Sequence, residues 1–248
     1  MSHSEPTSFY GSYNEMITAP ETSKHNPRGQ RQSQKGRTLT GLIASAVLIF
    51  GVFTLDSRNL WKEFVPLAFH VDYWDYIGWK DPFASADYTK RQRKHAARLG
   101  MRTIYTPGYF SAGNEWRHWR KTNPDVPEAT PGVLEISVKD DLVIARFTPK
   151  QVDGNRRLVV HVATLGFDIT SSIDRGENAG RTLEHDFVVL GDNAMALERA
   201  EDGSLTAKLS LPTLRAESKR RALAAWVSYS RDAEPLQATG GWITQVDN

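Results

Sequence analysis

The sequence predicts an α+β protein: one N-terminal transmembrane helix, a β-α-β unit, and a β-rich, sandwich-like second half. Three observations predict it. An uncharged apolar run, "TLTGLIASAVLIFGVFTL", spans Thr38 to Leu55, about the ~17–25 residues that a bilayer-crossing helix needs. The stretch "SADYTKRQRKHAARLG" has a helix start at Ser85 or Asp87 and a glycine, Gly100, where a left-handed stop belongs. From Gly132 onward, short alternating apolar segments separated by turn residues replace every helical pattern.

Residues 1–37 are rich in Ser, Asn, Gln, Gly and Pro with no sustained apolar period, which predicts a cytoplasmic tail that is disordered or held by a partner. Arg28, Arg31, Lys35 and Arg37 precede the apolar run, whereas the charges just after it cancel. That asymmetry places the tail inside a bacterial inner (cytoplasmic) membrane and the body in the periplasm. Residues 56–130 form the β-α-β unit: a strand over "VPLAFHVDYW" from Val65, the helix, then "MRTIYTPGYF" ending in a turn at Thr106-Pro107-Gly108. Proline-rich "NPDVPEATP" links it to residues 131–248. There "GVLEISVKDDLVIARF" reads as a hairpin, followed by strands in "RRLVVHVATLGF", "EHDFVVL", "SLTAKLSL", "RRALAAWVSYS" and "GGWITQV".

Composition removes several functions. The chain has 248 residues and no cysteine, which excludes disulfides, thiol nucleophiles, CxxC chemistry, iron–sulfur clusters and thiolate zinc sites. A formal net charge of +2, with no long basic-aromatic block along one element, argues against nucleic acid. No G-x-S-x-G elbow, H-E-x-x-H helix or glycine-rich phosphate loop is present. No metal and no cofactor are expected, and no catalytic residue is assigned.

The candidate site residues lie in three places. His70, Asp72 and Asp75, with Trp74, sit in "LAFHVDYWDYIGWKDPF". An extended strand would put His70 and Asp72 on one face, as an acid–base pair or part of a metal site needs. The plainer reading has them satisfied beside a sheet while the aromatics pack the following loop. Glu177, Asn178 and Arg181 belong to "GENAGRT", a ligand loop or simply a tight connection between strands. Trp116, Arg117, Trp119 and Arg120 form a basic-aromatic patch, a composition enriched at interfaces and membrane surfaces, though a packed turn accounts for it as well. His161 and His185 read as isolated histidines beside apolar strands.

The runs "LAFHVDYWDYIGWKDPFAS", "RQRKHAARLGMRTIYTP" and "RGENAGRTLEH" together resemble an uncharacterised bacterial family of secreted proteins with a thioredoxin-like fold. The resemblance implies that residues 56–130 are a thioredoxin-like unit and that Pro107 is a cis proline which would face a cysteine pair. Only "DSRNLWKEF" stands between the apolar run and "VPLAFHV", too little for the strand and helix that would carry that pair. The resemblance therefore implies a truncated unit without thiol–disulfide activity.

The function expected is that of a non-catalytic, membrane-anchored accessory or structural subunit of a larger inner-membrane complex, respiratory or photosynthetic for example. Its partners would be integral membrane protein subunits and membrane lipid. The alternative is a periplasmic metal- or ligand-binding maturation protein or enzyme using His70, Asp72 and Asp75.

Overall fold

A computed structural model describes residues 12–18, 60–61, 64–77, 80–119, 122, 131–173, 180–232 and 234–243, with 12–18 and 77 described by their backbone alone. Strand β1 is Ser12–Thr18 and β2 is Phe64–His70; a 3-10 turn follows at Asp75–Ile77, then helix α1, Ala86–Arg98. Next come β3 (Gly108–Ser111), β4 (Asn114–Glu115), β5 (Gly132–Lys139), β6 (Leu142–Pro149), β7 (Leu158–Phe167) and β8 (Ile169–Ser172). The chain continues through β9 (Thr182–His185), β10 (Val188–Ala196), β11 (Glu198–Arg199), β12 (Leu205–Ser210), β13 (Arg220–Tyr229) and β14 (Pro235–Trp242).

Local chemistry explains several of these boundaries. Ser85 caps α1, its hydroxyl accepting from Asp87 N at 3.2 Å. Gly100 takes φ 65° just past the helix, the left-handed stop expected of a glycine there. Between β5 and β6, Asp140 and Asp141 adopt φ 49° and 62°, the two left-handed residues that a tight hairpin turn requires.

The large sheet runs β14-β13-β7-β10-β2-β1-β3-β4, a second runs β11-β12-β6-β5, and β8-β9 form a separate pair. Alternation along β7 and β13 sorts two cores onto opposite faces of the large sheet. Ala163, Leu165, Phe167, Ala222, Ala224 and Trp226 join Val65, Leu67, Phe69 and Tyr88 of α1. Val160, Val162, Leu223, Ala225 and Val227 instead meet Leu134, Val143, Phe147 and Leu205 of the smaller sheet. A third cluster, Phe83, Ile169, Val188 and Leu190, covers the β2–β10 end of the second face.

This architecture corrects the α+β, thioredoxin-like expectation. The described residues are mostly β, with one α-helix of 13 residues. The segments around α1 do not form a parallel crossover unit either: β1 separates β2 from β3, pairing antiparallel with β2 and parallel with β3. The resemblance implied a missing strand. Residues 12–18 of the expected tail are a strand between β2 and β3, where they answer main-chain groups that would otherwise be unpaired. Strands from before and after residue 130 share one sheet.

The predicted span at 38–55 lies outside the described residues. Among the described residues no helix is long and apolar enough to cross a membrane, so the transmembrane, single-pass expectation finds no support in the structure.

Gly191 sits where the β7–β10 register shifts. A Cβ there would lie 2.3 Å from the carbonyl oxygen of Thr213, a backbone atom that cannot swing aside. Gly191→Ala should therefore cost about 1–3 kcal/mol, read as a lower urea midpoint with an unchanged slope.

Candidate functional site

Strand β2 is buried along its whole length and ends on His70, which is 3% exposed. A ring nitrogen in such a place needs an internal partner. His70 Nδ1–H donates to Asp81 Oδ2 at 2.6 Å, and the other oxygen of Asp81 accepts from Phe83 N at 2.9 Å. Asp81 is itself 5% exposed. Burial alone would raise its pKa, but the charge and hydrogen bond of His70 and the Phe83 amide together hold it below the ordinary carboxylate range.

A second imidazole completes the cluster. The rings of His70, Phe83 and His185 meet edge to face, with centroids 5.4–5.7 Å apart. On the β8–β9 hairpin, Ile169 pairs with His185 and Ser171 with Leu183. Ser171 is thus the diagonal same-face neighbour of His185, and Ser171 Oγ and His185 Nε2 share a hydrogen bond of 2.5 Å. Burial and the neighbouring His70 lower the His185 pKa to about 4, so this ring is neutral at pH 7. Hydroxyl, imidazole, imidazole and carboxylate follow one another from the hairpin into the core.

Asp72 does not share a face with His70, because the strand stops at His70. Instead Thr89 of α1 donates its hydroxyl proton to Asp72 Oδ1 at 2.6 Å and accepts from Asp72 N at 3.2 Å. Asp75 Oδ1 accepts a long bond, 3.4 Å, from Asp81 N; burial raises the Asp75 pKa. Trp74 Nε1–H donates to Thr106 Oγ1 at 2.9 Å, beside the cis Thr106–Pro107 bond. His70 and Asp75 therefore meet at Asp81, Trp74 ties the loop to Thr106, and Asp72 ties it to the helix.

The other predicted residues lie apart. Trp119 stacks on Tyr109 with centroids 4.1 Å apart, and Trp116 Nε1–H donates to Thr122 Oγ1 at 2.9 Å. Arg117 is exposed and pairs with Glu115 at 2.7 Å, whose other oxygen accepts from Tyr105 O–H at 2.5 Å. Arg120, Glu177 and Asn178 fall outside the described residues. Arg181 closes the β8–β9 loop by its backbone, its carbonyl accepting from Ile173 N at 2.9 Å. Among the described residues no group of three or more His, Asp or Glu could hold a metal.

Asp81, Ser171 and His185 are the members that sequence reasoning missed. The signal available was weak: Asp81 stands eleven residues from His70 across a loop, and His185 is brought in from a different strand.

Fold and site together define a mostly β protein whose core encloses a carboxylate–imidazole pair beneath a short hairpin. The model of DUF1223, described as a family of proteins of unknown function, matches residues 52–228. The chain belongs to that family. Among solved structures, protein AGR_C_4864 from Agrobacterium tumefaciens is similar at 18% identity, covering 73% of this chain and 82% of that one with a TM-score of 0.46. HBP35 of Porphyromonas gingivalis is similar at 18% identity over 64% of this chain and 59% of that one, with a TM-score of 0.41. No curated protein matches.

Two outcomes are expected from the cluster. Asp81→Ala leaves a buried imidazole without its carboxylate and should cost about 3 kcal/mol or more in urea unfolding. His185 binds its proton less readily folded than unfolded, so stability should fall as pH drops from about 6.5 towards 4. Asp81, lowered below its unfolded value, adds loss in the same direction at still lower pH. Urea midpoints measured across this range should slope in the parent and flatten between pH 4 and 6.5 in His185→Gln.

Proposed function

We propose that this protein is a non-catalytic accessory component of a larger bacterial membrane-associated assembly, acting through its surface. One observation carries the reading: the polar side chains of its signature stretch are consumed by internal pairing. His70 is bound to Asp81, Asp72 to Thr89, and Asp75 to the Asp81 backbone. Such bonds hold a loop in one shape; they do not present groups to a substrate.

What the locked loop presents is aromatic. Tyr76 is 78% exposed and stacks on Trp74. Trp74 bonds to Thr106, next to Tyr105, and Tyr105 bonds to Glu115, the partner of Arg117. Two sequence patches that lie some forty residues apart thus become neighbours on one surface, with the tyrosine, tryptophan and arginine content of interaction hot spots.

A second reading has one observation in its favour. The 2.5 Å contact between Ser171 and a neutral His185 is the first element of a hydroxyl-based hydrolytic site, with His185 as the base. It replaces the expected His70, Asp72 and Asp75 set.

Gentle extraction from native membranes, followed by native-gel separation and mass spectrometry, tests the first reading. The expected result is one defined large complex at fixed stoichiometry, with Tyr76→Ala plus Arg117→Glu reducing co-migration at least tenfold while leaving the melting temperature unchanged. A protein that runs alone overturns it. Hydrolysis of ester substrates lost in Ser171→Ala, with the fold intact, would establish the second reading instead.

A further inference from the structure

Helix α1 buries Tyr88, Thr89, Gln92, His95 and Ala96 and turns a basic face outward. Three of its cations are already engaged: Lys90 pairs with Asp87 at 3.0 Å, Arg91 lies over the rings of Phe69 and Trp226, and Arg98 reaches Gly113 O and Glu234. Arg93 and Lys94, with Arg102 just beyond the helix, are exposed and have no ion-pair partner among the described residues. Uncompensated cations on a rigid element are an electrostatic footprint for an anionic surface.

Beside these cations lies an open hollow of about 470 Å³ lined by Arg93, Ala96, Ala97, Met101, Arg102, Thr103 and Ile104. Its lining combines apolar carbon from Ala96, Ala97, Met101 and Ile104 with two guanidinium groups and a hydroxyl. The aromatic loop adjoins it. Tyr73 O–H donates to Gln92 at 3.2 Å, and Gln92 in turn donates to the Tyr105 carbonyl at 2.8 Å. Exposed Tyr105 thus follows directly on Ile104 of the hollow, and half-buried Trp74 bonds to Thr106 next along and carries exposed Tyr76 stacked on it.

We propose that this face, centred on Ala97 between Arg93 and Arg102, docks on an anionic phospholipid bilayer. The cations meet headgroup phosphates, the hollow takes the apolar edge of a headgroup or the start of an acyl chain, and the tyrosines and Trp74 sit at headgroup depth, where amphipathic rings are favoured. The apolar part of the lining and the exposed aromatic side chains that follow it along the chain favour a bilayer over a nucleic acid or an acidic peptide, which would use the charges and leave the apolar carbon uncovered. The inference goes beyond the assembly reading and stands without it.

The chain has no cysteine, so Ala97→Cys in the full-length protein gives one labelling position at the centre of the face. Lys139→Cys, on β5 of the smaller sheet, which packs against the opposite face of the large sheet, is the control. Each carries an environment-sensitive fluorophore and is titrated with phosphatidylcholine vesicles containing 0 or 30 mol % phosphatidylglycerol, amounts chosen on the order of natural anionic surfaces. The expected result is a blue shift at position 97 that needs phosphatidylglycerol, fades with salt, and is missing at position 139. Each basic side chain near such a surface contributes about fivefold. Arg93→Glu, Lys94→Glu and Arg102→Glu together should therefore lower the phosphatidylglycerol-dependent increment about a hundredfold, with binding to neutral vesicles unaltered. A shift that ignores phosphatidylglycerol, survives the triple charge reversal, or appears with inorganic phosphate alone would overturn the proposal.

Discussion

A strand buried on both faces that ends in a histidine needs an internal answer to that ring, and Asp81 supplies it to His70. The rest of the local architecture depends on that contact. Asp81 stands eleven residues beyond His70, and the same carboxylate accepts the Phe83 amide. Ser85 N then donates to the His70 carbonyl at 3.0 Å, which sets the point where α1 starts. A single buried pair thus decides where β2 stops, how the aromatic loop folds and where the only α-helix of the described residues begins. Its low exposure makes that control strong, because a hydrogen-bonded pair shielded from water leaves neither partner a solvated alternative.

The second imidazole extends that logic to the hairpin. Strands β8 and β9 form a separate pair that continues from β7 and runs on into β10, and side chains fasten it further to the core. Ile169 and Ile173 bury their carbon, while His185 brings a neutral ring against His70 and Phe83. Beyond those two chain connections, packing and a polar cluster hold the hairpin to the body in place of a continuous ladder.

Function, on this reading, is expressed outward by elements that the internal network holds still. The loop carrying Trp74 and Tyr76 is pinned by Thr106 and Gln92, and α1 is pinned at its start by Ser85 and along its length by Tyr88 and Phe69, whose rings meet at 5.1 Å. Rigid presentation matters because side chains fixed before binding lose less freedom on contact. The basic face and the aromatic loop share Gln92 as a link, so the two surfaces keep a constant relation to each other.

Local chemistry was legible from the sequence wherever it is written in adjacent residues. The α1 boundaries followed from Ser85 and Gly100, the β5–β6 hairpin from its alternation and its paired aspartates, and β7, β12 and β13 from apolar runs between turn residues. His70, Asp72 and Asp75 were grouped because they stand in one short stretch, and the structure gives them separate partners in Asp81, Thr89 and the Asp81 backbone. What only the tertiary structure decided depends on distance along the chain. The pairing of Asp81 with His70 and the arrival of Ser171 and His185 from another hairpin need the fold to close before they exist. The insertion of residues 12–18 between β2 and β3, antiparallel to the first and parallel to the second, was equally hidden, because main-chain hydrogen bonding places a strand with little regard to side-chain pattern. The thioredoxin-like expectation failed for the same reason: sequence motifs fix which residues are present, whereas strand direction and order are settled by which edges remain unpaired when the sheet is complete.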